Sequence, residues 1–228
     1  MYARGLKPLS IASVLALTGA FALVLFYAPN EADQGFIQKI FYLHVPLAIV
    51  ALGGFVVGGI YGIKHLRSGR REDDMKSYVA IHVSIMLGLA TLATGMIWAK
   101  ASWGHWWLWD EPTLVAFLIV FLLYACYQPL RFSIEDADRQ ARYAAVFAVL
   151  AGAFVPVCFM SVRFVQAAVT HPRVLDQTDG GMPGSMFGTF LVALVAMVLF
   201  FVTLWKFELT SKHARFQLAA MKRKLLDA

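Results

Sequence analysis

The chain is short of charge and of cysteine, and each shortage excludes something. Only 15% of its 228 residues are charged, 60% are hydrophobic and the mean hydropathy is +0.66. Such a composition is too apolar to close a single water-soluble domain. The two cysteines, Cys126 and Cys158, form no C-x-x-C or C-x-x-C-H motif, which excludes a thioredoxin-like reductase and a covalently attached c-type haem. They fall in apolar runs at different expected depths and are read as small packing residues, not as a disulfide. No repeat, low-complexity tract or soluble domain interrupts the sequence.

What the chain has in abundance is long apolar stretches. A bilayer core about 30 Å thick takes about 20 residues of helix. Runs at 9–28, 42–63, 77–98, 112–129, 142–165 and 186–206 supply that length. The expected fold is an all-α integral membrane protein of six transmembrane helices, a single membrane domain over 1–228. The first run follows Arg4 and Lys7 as a signal peptide would, but it is long for one and no small-x-small site follows Ala28, so it is expected to stay as an anchor. In the second run Gly54, Gly58 and Gly62 recur every four residues and would admit another helix closely. Pro156 is expected to kink the fifth.

The net charge of +6 is not spread as a nucleic-acid surface would be. All but four of the 20 Lys and Arg residues lie before the first run, between the second and third, between the fourth and fifth, or after the sixth. By the positive-inside rule both termini and those two loops are cytoplasmic. The opposite face carries only Lys39, Lys100 and Arg173, on segments 29–44, 99–112 and 166–185, and Arg163 near the outer end of the fifth run. It is the expected functional face, and it holds five of the six tryptophans, within the twelve residues Trp98 to Trp109. Packed indoles offer flat apolar walls with an N–H handle, which suits a large planar hydrophobic ligand better than a simple interfacial belt.

If 103–110 continue as a helical turn, Trp103, Trp106, Trp107 and Asp110 share one face, and Gly104 lets a ligand plane approach the backbone. Asp110, followed by Glu111 and Pro112, is equally a helix start for the fourth run. On 29–44, Phe36, Ile37, Ile40, Phe41 and His44 recur at helical spacing opposite Asp33, Gln34 and Gln38, which predicts a short amphipathic interfacial helix with His44 facing protein or ligand. The third segment, with DQTDGGMPG after His171 and Pro172, reads as a flexible loop.

Imidazole is the commonest protein ligand to haem iron. His65 and His213 lie in cytoplasmic segments and are expected to be solvated. His82, about 24 Å along the third helix from Trp98 by helical rise, is expected to hydrogen-bond a neighbouring helix. His44, His105 and His171 remain on the outer side, and two of them on different loops could clamp an iron from opposite faces.

The runs YLHVP, WGHWWLWD and SVRFVQAAVTHP resemble the tryptophan-rich haem-handling family of cytochrome c biogenesis over nearly the whole chain, and the six-span size matches its haem exporter protein C (CcmC) branch. The resemblance implies binding of non-covalent haem b at the periplasmic face of a bacterial inner membrane and its transfer to a membrane-anchored haem chaperone. It implies as partners an ABC-type ATPase, the membrane subunit of that ATPase and a small single-span accessory protein. It implies His44 and His171 as axial ligands, with His105 the weaker alternative. The tryptophan loop of Trp103, Gly104, Trp106, Trp107, Trp109 and Asp110 would hold the porphyrin. The basic residue that the family carries two places after its aspartate is replaced here by Pro112. Arg163, Arg173 and Lys100 would pair with propionates or snorkel to the interface.

Handover demands moderate affinity: stacking holds the plane while replaceable axial bonds allow release. No catalysis on the porphyrin is expected, and ATP hydrolysis would belong to a partner. A b-type electron carrier would pair histidines at matching depths on spanning helices, yet only His82 is deeply placed. A permease for another solute would line a path with charge, and the runs are almost free of it.

Overall fold

The computed structural model describes residues 3–164 and 182–226, with the side chains of 161–164, 220, 223 and 224 outside the description. Its elements are α1 (Leu6–Phe26), a 3-10 turn (Phe36–Ile40), α2 (Phe41–Ser68), α3 (Arg71–Trp103), α4 (Pro112–Phe132), α5 (Ala137–Ala153), α6 (Val155–Phe164) and α7 (Gly184–Leu226). Among the described residues, six helices are long and apolar enough to cross a membrane, α5 running into the start of α6 as one span and the 3-10 turn into α2 as another. The all-α, six-span architecture is the expected fold class of a multi-pass membrane protein. Leu15, Phe26, Leu122 and Leu150 point outward without cover, as they must where the solvent is lipid.

Local chemistry sets the helix ends. α3 begins at Arg71, ahead of its apolar run, because Glu72, Asp73 and Asp74 occupy the first turn, where the helix dipole favours carboxylates. Pro112 opens α4 at a position where a missing N–H costs nothing. The Asp136 side chain caps α5 by accepting from Arg139 N–H at 2.8 Å. The fifth span breaks at Phe154, between α5 and α6, two residues before Pro156, which has no N–H for the Gly152 carbonyl. Where a kink was expected from that proline, the helix is broken at one residue, Phe154, which keeps right-handed helical angles.

The bundle is organised around α2, which packs against α3, α5 and α7; α1 lies on α7, and α4 on α5 and α6. The glycines of α2 permit this. A Cβ at Gly54 would collide with Ser84 Oγ and the Phe201 ring, one at Gly58 would stand 2.5 Å from Ile81 Cγ1, and one at Gly62 3.1 Å from the Ala145 carbonyl. The Ser77 hydroxyl donates to the Gly58 carbonyl at 2.7 Å, fastening α3 to α2 by its backbone. Behind them Phe55 and Tyr124 stack at 3.8 Å between ring centroids in the core beside α4 and α5.

At the end of the bundle remote from the Trp98–Trp109 run, the Arg131 guanidinium makes a two-pronged pair with Asp74 at 2.6 and 2.7 Å and donates to Tyr127 Oη. It also lies 4.8 Å from the centroid of the Tyr78 ring. Both charges are largely buried, so the pair holds α4 to α3 only while both members are present.

Two expectations are corrected. His65 is not solvated: it is buried, with Nδ1 2.9 Å from the Arg70 carbonyl, because the αL residue Gly69 folds the chain back over the end of α2. Cys158 is a buried packing residue, but Cys126 is exposed on α4, and both are free thiols.

Replacing Gly58 with Leu is expected to force α2 and α3 apart and to lower stability by about 1–3 kcal/mol, read as thermal unfolding in detergent. Asp74→Ala is expected to cost about 3–5 kcal/mol by stranding the guanidinium. The double variant Asp74→Ala with Arg131→Met should recover much of that loss, and additive losses would contradict the buried-pair account.

Candidate functional site

At the other end of the bundle the same α2–α3 contact delivers His44. The first turns of α2 lie beside the last turns of α3, and the imidazole packs where α3 has no side chain: a Cβ at Gly95 would stand 2.7 Å from His44 Cε1. His44 Nδ1 is 3.0 Å from Thr94 Oγ1. The edge of Trp98 closes the third side, with ring centroids 5.8 Å apart at 74°. Thr94, Gly95 and Trp98 are thus a socket built by one turn of α3.

Trp98 differs from the other tryptophans of the run. It is buried, its Nε1 donates to Gln34 Oε1 at 2.8 Å, and Ser102 Oγ donates to the same oxygen at 3.1 Å. Gln34 is itself placed by Glu31, whose carboxylate accepts from the Asp33 and Gln34 backbone N–H groups. The segment before α2 is so fastened to the end of α3. The expected amphipathic phase holds at Phe41, which is buried, and at Asp33, which is exposed, but fails between them: Gln38 is buried, Gln34 is half-buried, and Phe36 and Ile37 are exposed. The cause is the 3-10 geometry of Phe36–Ile40, which places side chains every three residues instead of every 3.6.

The helical face of Trp103, Trp106, Trp107 and Asp110 does not form. α3 stops at Trp103 because Gly104 takes φ +79°, its N–H returning to the Lys100 carbonyl at 3.1 Å and its carbonyl accepting from Lys100 Nζ at 2.8 Å. Lys100 is engaged at the helix end. From 105 to 111 the chain is irregular. Trp106 and Trp109 are exposed, and Trp107 meets Trp109 edge-on at 5.9 Å. His105 and Asp110 are exposed on this loop. Asp110 is not the cap of α4: the N-cap is Glu111, which is buried and uses no side-chain cap bond.

Several buried polar atoms at this end have no hydrogen-bond partner among the described residues: Gln38 Oε1, Tyr42 Oη, Trp107 Nε1 and Thr113 Oγ1. Buried donors and acceptors without partners are costly unless something else meets them. The face therefore offers flat indoles, an inward-held imidazole and unmet polar groups, a set that fits a planar apolar ligand with a ligatable metal and polar substituents. Of the remaining expected site residues, His171, Arg173 and the Arg163 side chain lie outside the described residues. His82 is paired as expected with a neighbouring helix, its Nδ1 3.0 Å from Gln128 Nε2 of α4, and stacks on Tyr78.

Thr94, Gly95 and Gln34 were not legible as site residues. The signal for the first two is a Thr-Gly pair one turn before Trp98 in an otherwise apolar run.

Comparison with known proteins matches this arrangement to a family. The family model described as Heme exporter protein C (CcmC) matches residues 1–224. The Heme exporter protein C of Paracoccus denitrificans is 27% identical over 215 residues, 94% of this chain and 89% of that one. That of Bradyrhizobium diazoefficiens is 29% identical over 98% of this chain and 80% of its own. That of Rhodobacter capsulatus is 32% identical over a shorter stretch, 63% of this chain and 59% of its own. With six membrane-spanning helices and a family match running over all but its last residues, the chain belongs to the Heme exporter protein C family.

Proposed function

We propose that this protein binds haem at the periplasmic face of the bacterial inner membrane and delivers it to a membrane-anchored haem chaperone during c-type cytochrome maturation. The single observation that carries the reading is the His44 socket. An imidazole is held by Thr94, Gly95 and Trp98 on the same helix that ends in the tryptophan loop. The relatives' name, Heme exporter protein C, supports haem as the cargo.

In this reading His44 and His171 are the axial ligands and haem b is held without a covalent bond. Trp106, Trp107 and Trp109, with Trp103, Gly104 and Asp110, form the porphyrin wall, and the buried Nε1 of Trp107 is a donor suited to a polar substituent of the ring. Arg163 and Arg173 take the propionates. Nothing here is catalytic: the chain binds, orients and releases. ATP hydrolysis belongs to an ABC ATPase that works with its membrane subunit and a small single-span protein. Both termini and the basic loops face the cytoplasm by the positive-inside rule.

The burial of Trp98 and its bond to Gln34 assign that indole to the scaffold and leave stacking to the loop. The pairing of His82 with Gln128 in the bundle weighs against a b-type electron carrier.

Protein purified from haem-replete cells should show a bis-histidine visible spectrum. His44→Ala and His171→Ala should each weaken it, the double variant should abolish it, and His105→Ala should leave it unchanged. An unaltered spectrum in the double variant would refute the ligand assignment, and a chain that never retains haem, alone or with its chaperone, would refute the function. Trp107→Phe keeps the ring and removes the N–H. It is expected to reduce haem retention by about a factor of ten, the worth of one buried hydrogen bond of roughly 1–1.5 kcal/mol, as measured by haem titration of the purified protein.

A further inference from the structure

The Thr94 hydroxyl has three polar neighbours, and they cannot be satisfied in every orientation. Oγ1 lies 2.8 Å from the Ala90 carbonyl, 3.1 Å from the Thr91 carbonyl and 3.0 Å from His44 Nδ1. Carbonyl oxygens only accept, so a hydroxyl proton turned toward His44 would leave two short oxygen–oxygen contacts with no hydrogen between them. The arrangement that satisfies all three has the hydroxyl donating backward to the carbonyls, as threonines in helices do, and accepting from Nδ1–H. In a neutral imidazole that puts the lone pair on Nε2. Gly95 contributes by leaving the room in which the ring can reach Thr94.

We infer that Thr94 is a positioning residue for His44: its hydroxyl fixes the imidazole as the Nδ1–H tautomer and presents Nε2 as the donor atom to haem iron. The inference rests on the reading of His44 as a haem ligand. A hydrogen bond to the distal nitrogen of a metal-bound histidine sets the ring's tautomer and orientation and raises its basicity, and losing such a partner costs about 10–100-fold in metal affinity. A more basic imidazole favours the ferric state, so losing the bond should also raise the midpoint potential of bound haem.

The test uses the full chain in detergent, with Thr94→Val, which keeps the shape and removes the hydroxyl, and Thr94→Ser, which restores it. Nitrogen-15 spectra of histidine-labelled, haem-free protein, with His44→Ala to assign the signals, should show the Nδ1–H form in the wild type and in Thr94→Ser. The Thr94→Val spectrum should show a loss of that preference. In haem titrations Thr94→Val should bind at least tenfold more weakly with a raised midpoint potential, and Thr94→Ser should return both toward wild type. A change in packing alone would not move the potential and the tautomer together.

An Nε2–H tautomer in the wild type, or identical spectra and potentials in wild type and Thr94→Val, would overturn the inference. An unchanged bis-histidine spectrum in His44→Ala refutes the ligand reading itself, whereas the haem-free spectra bear on Thr94 alone.

Discussion

The close approach of α2 to α3 is the constraint on which the rest depends. Four residues forward on α2, from Gly54 to Gly58, correspond to three back on α3, from Ser84 to Ile81, and the same antiparallel register carried the other way brings His44 onto Gly95. The glycines in the middle of the membrane and the imidazole at its edge belong to one contact surface. Without a hydrophobic driving force between helices in lipid, such an interface depends on packing and on backbone hydrogen bonds like that from Ser77 to Gly58. Bulk added at mid-span would therefore be felt at His44 through a change of register.

The two ends of α3 are held by opposite means. Near its start a buried ion pair with Arg131 ties it to α4, a contact sensitive to the loss of either partner. Near its finish, Gln34 gathers Trp98 and Ser102 through a single amide oxygen, which keeps the segment before α2 in place with neutral groups.

The six-helix fold was legible because hydropathy alone marks a stretch that must sit in lipid. What escaped were features decided by backbone geometry or by register between distant residues. Periodicity carried Trp103 to Asp110 onto one helical face, but it cannot say that Gly104 will adopt positive φ and end the helix. A 3.6-residue period put Gln38 outside, and a 3-10 turn put it inside. Thr94 and Gly95 gain meaning only once α2 is laid against them, which no local pattern encodes. His65 was misplaced for a similar reason: the positive φ of Gly69 folds the Arg70 carbonyl back onto it, which no local pattern announces.

Gly104 has a mechanical consequence. The socket residues Thr94, Gly95 and Trp98 and the last helical tryptophan, Trp103, ride on one continuous helical rod, so tilting α3 moves them together without changing their separation. The exposed indoles beyond are joined to that rod through a residue with no side chain, in a conformation that other residues adopt only at a cost of about 1–2 kcal/mol. The direction in which the loop's indoles leave the helix is therefore set at this one position, which Lys100 holds from both its backbone carbonyl and its side chain.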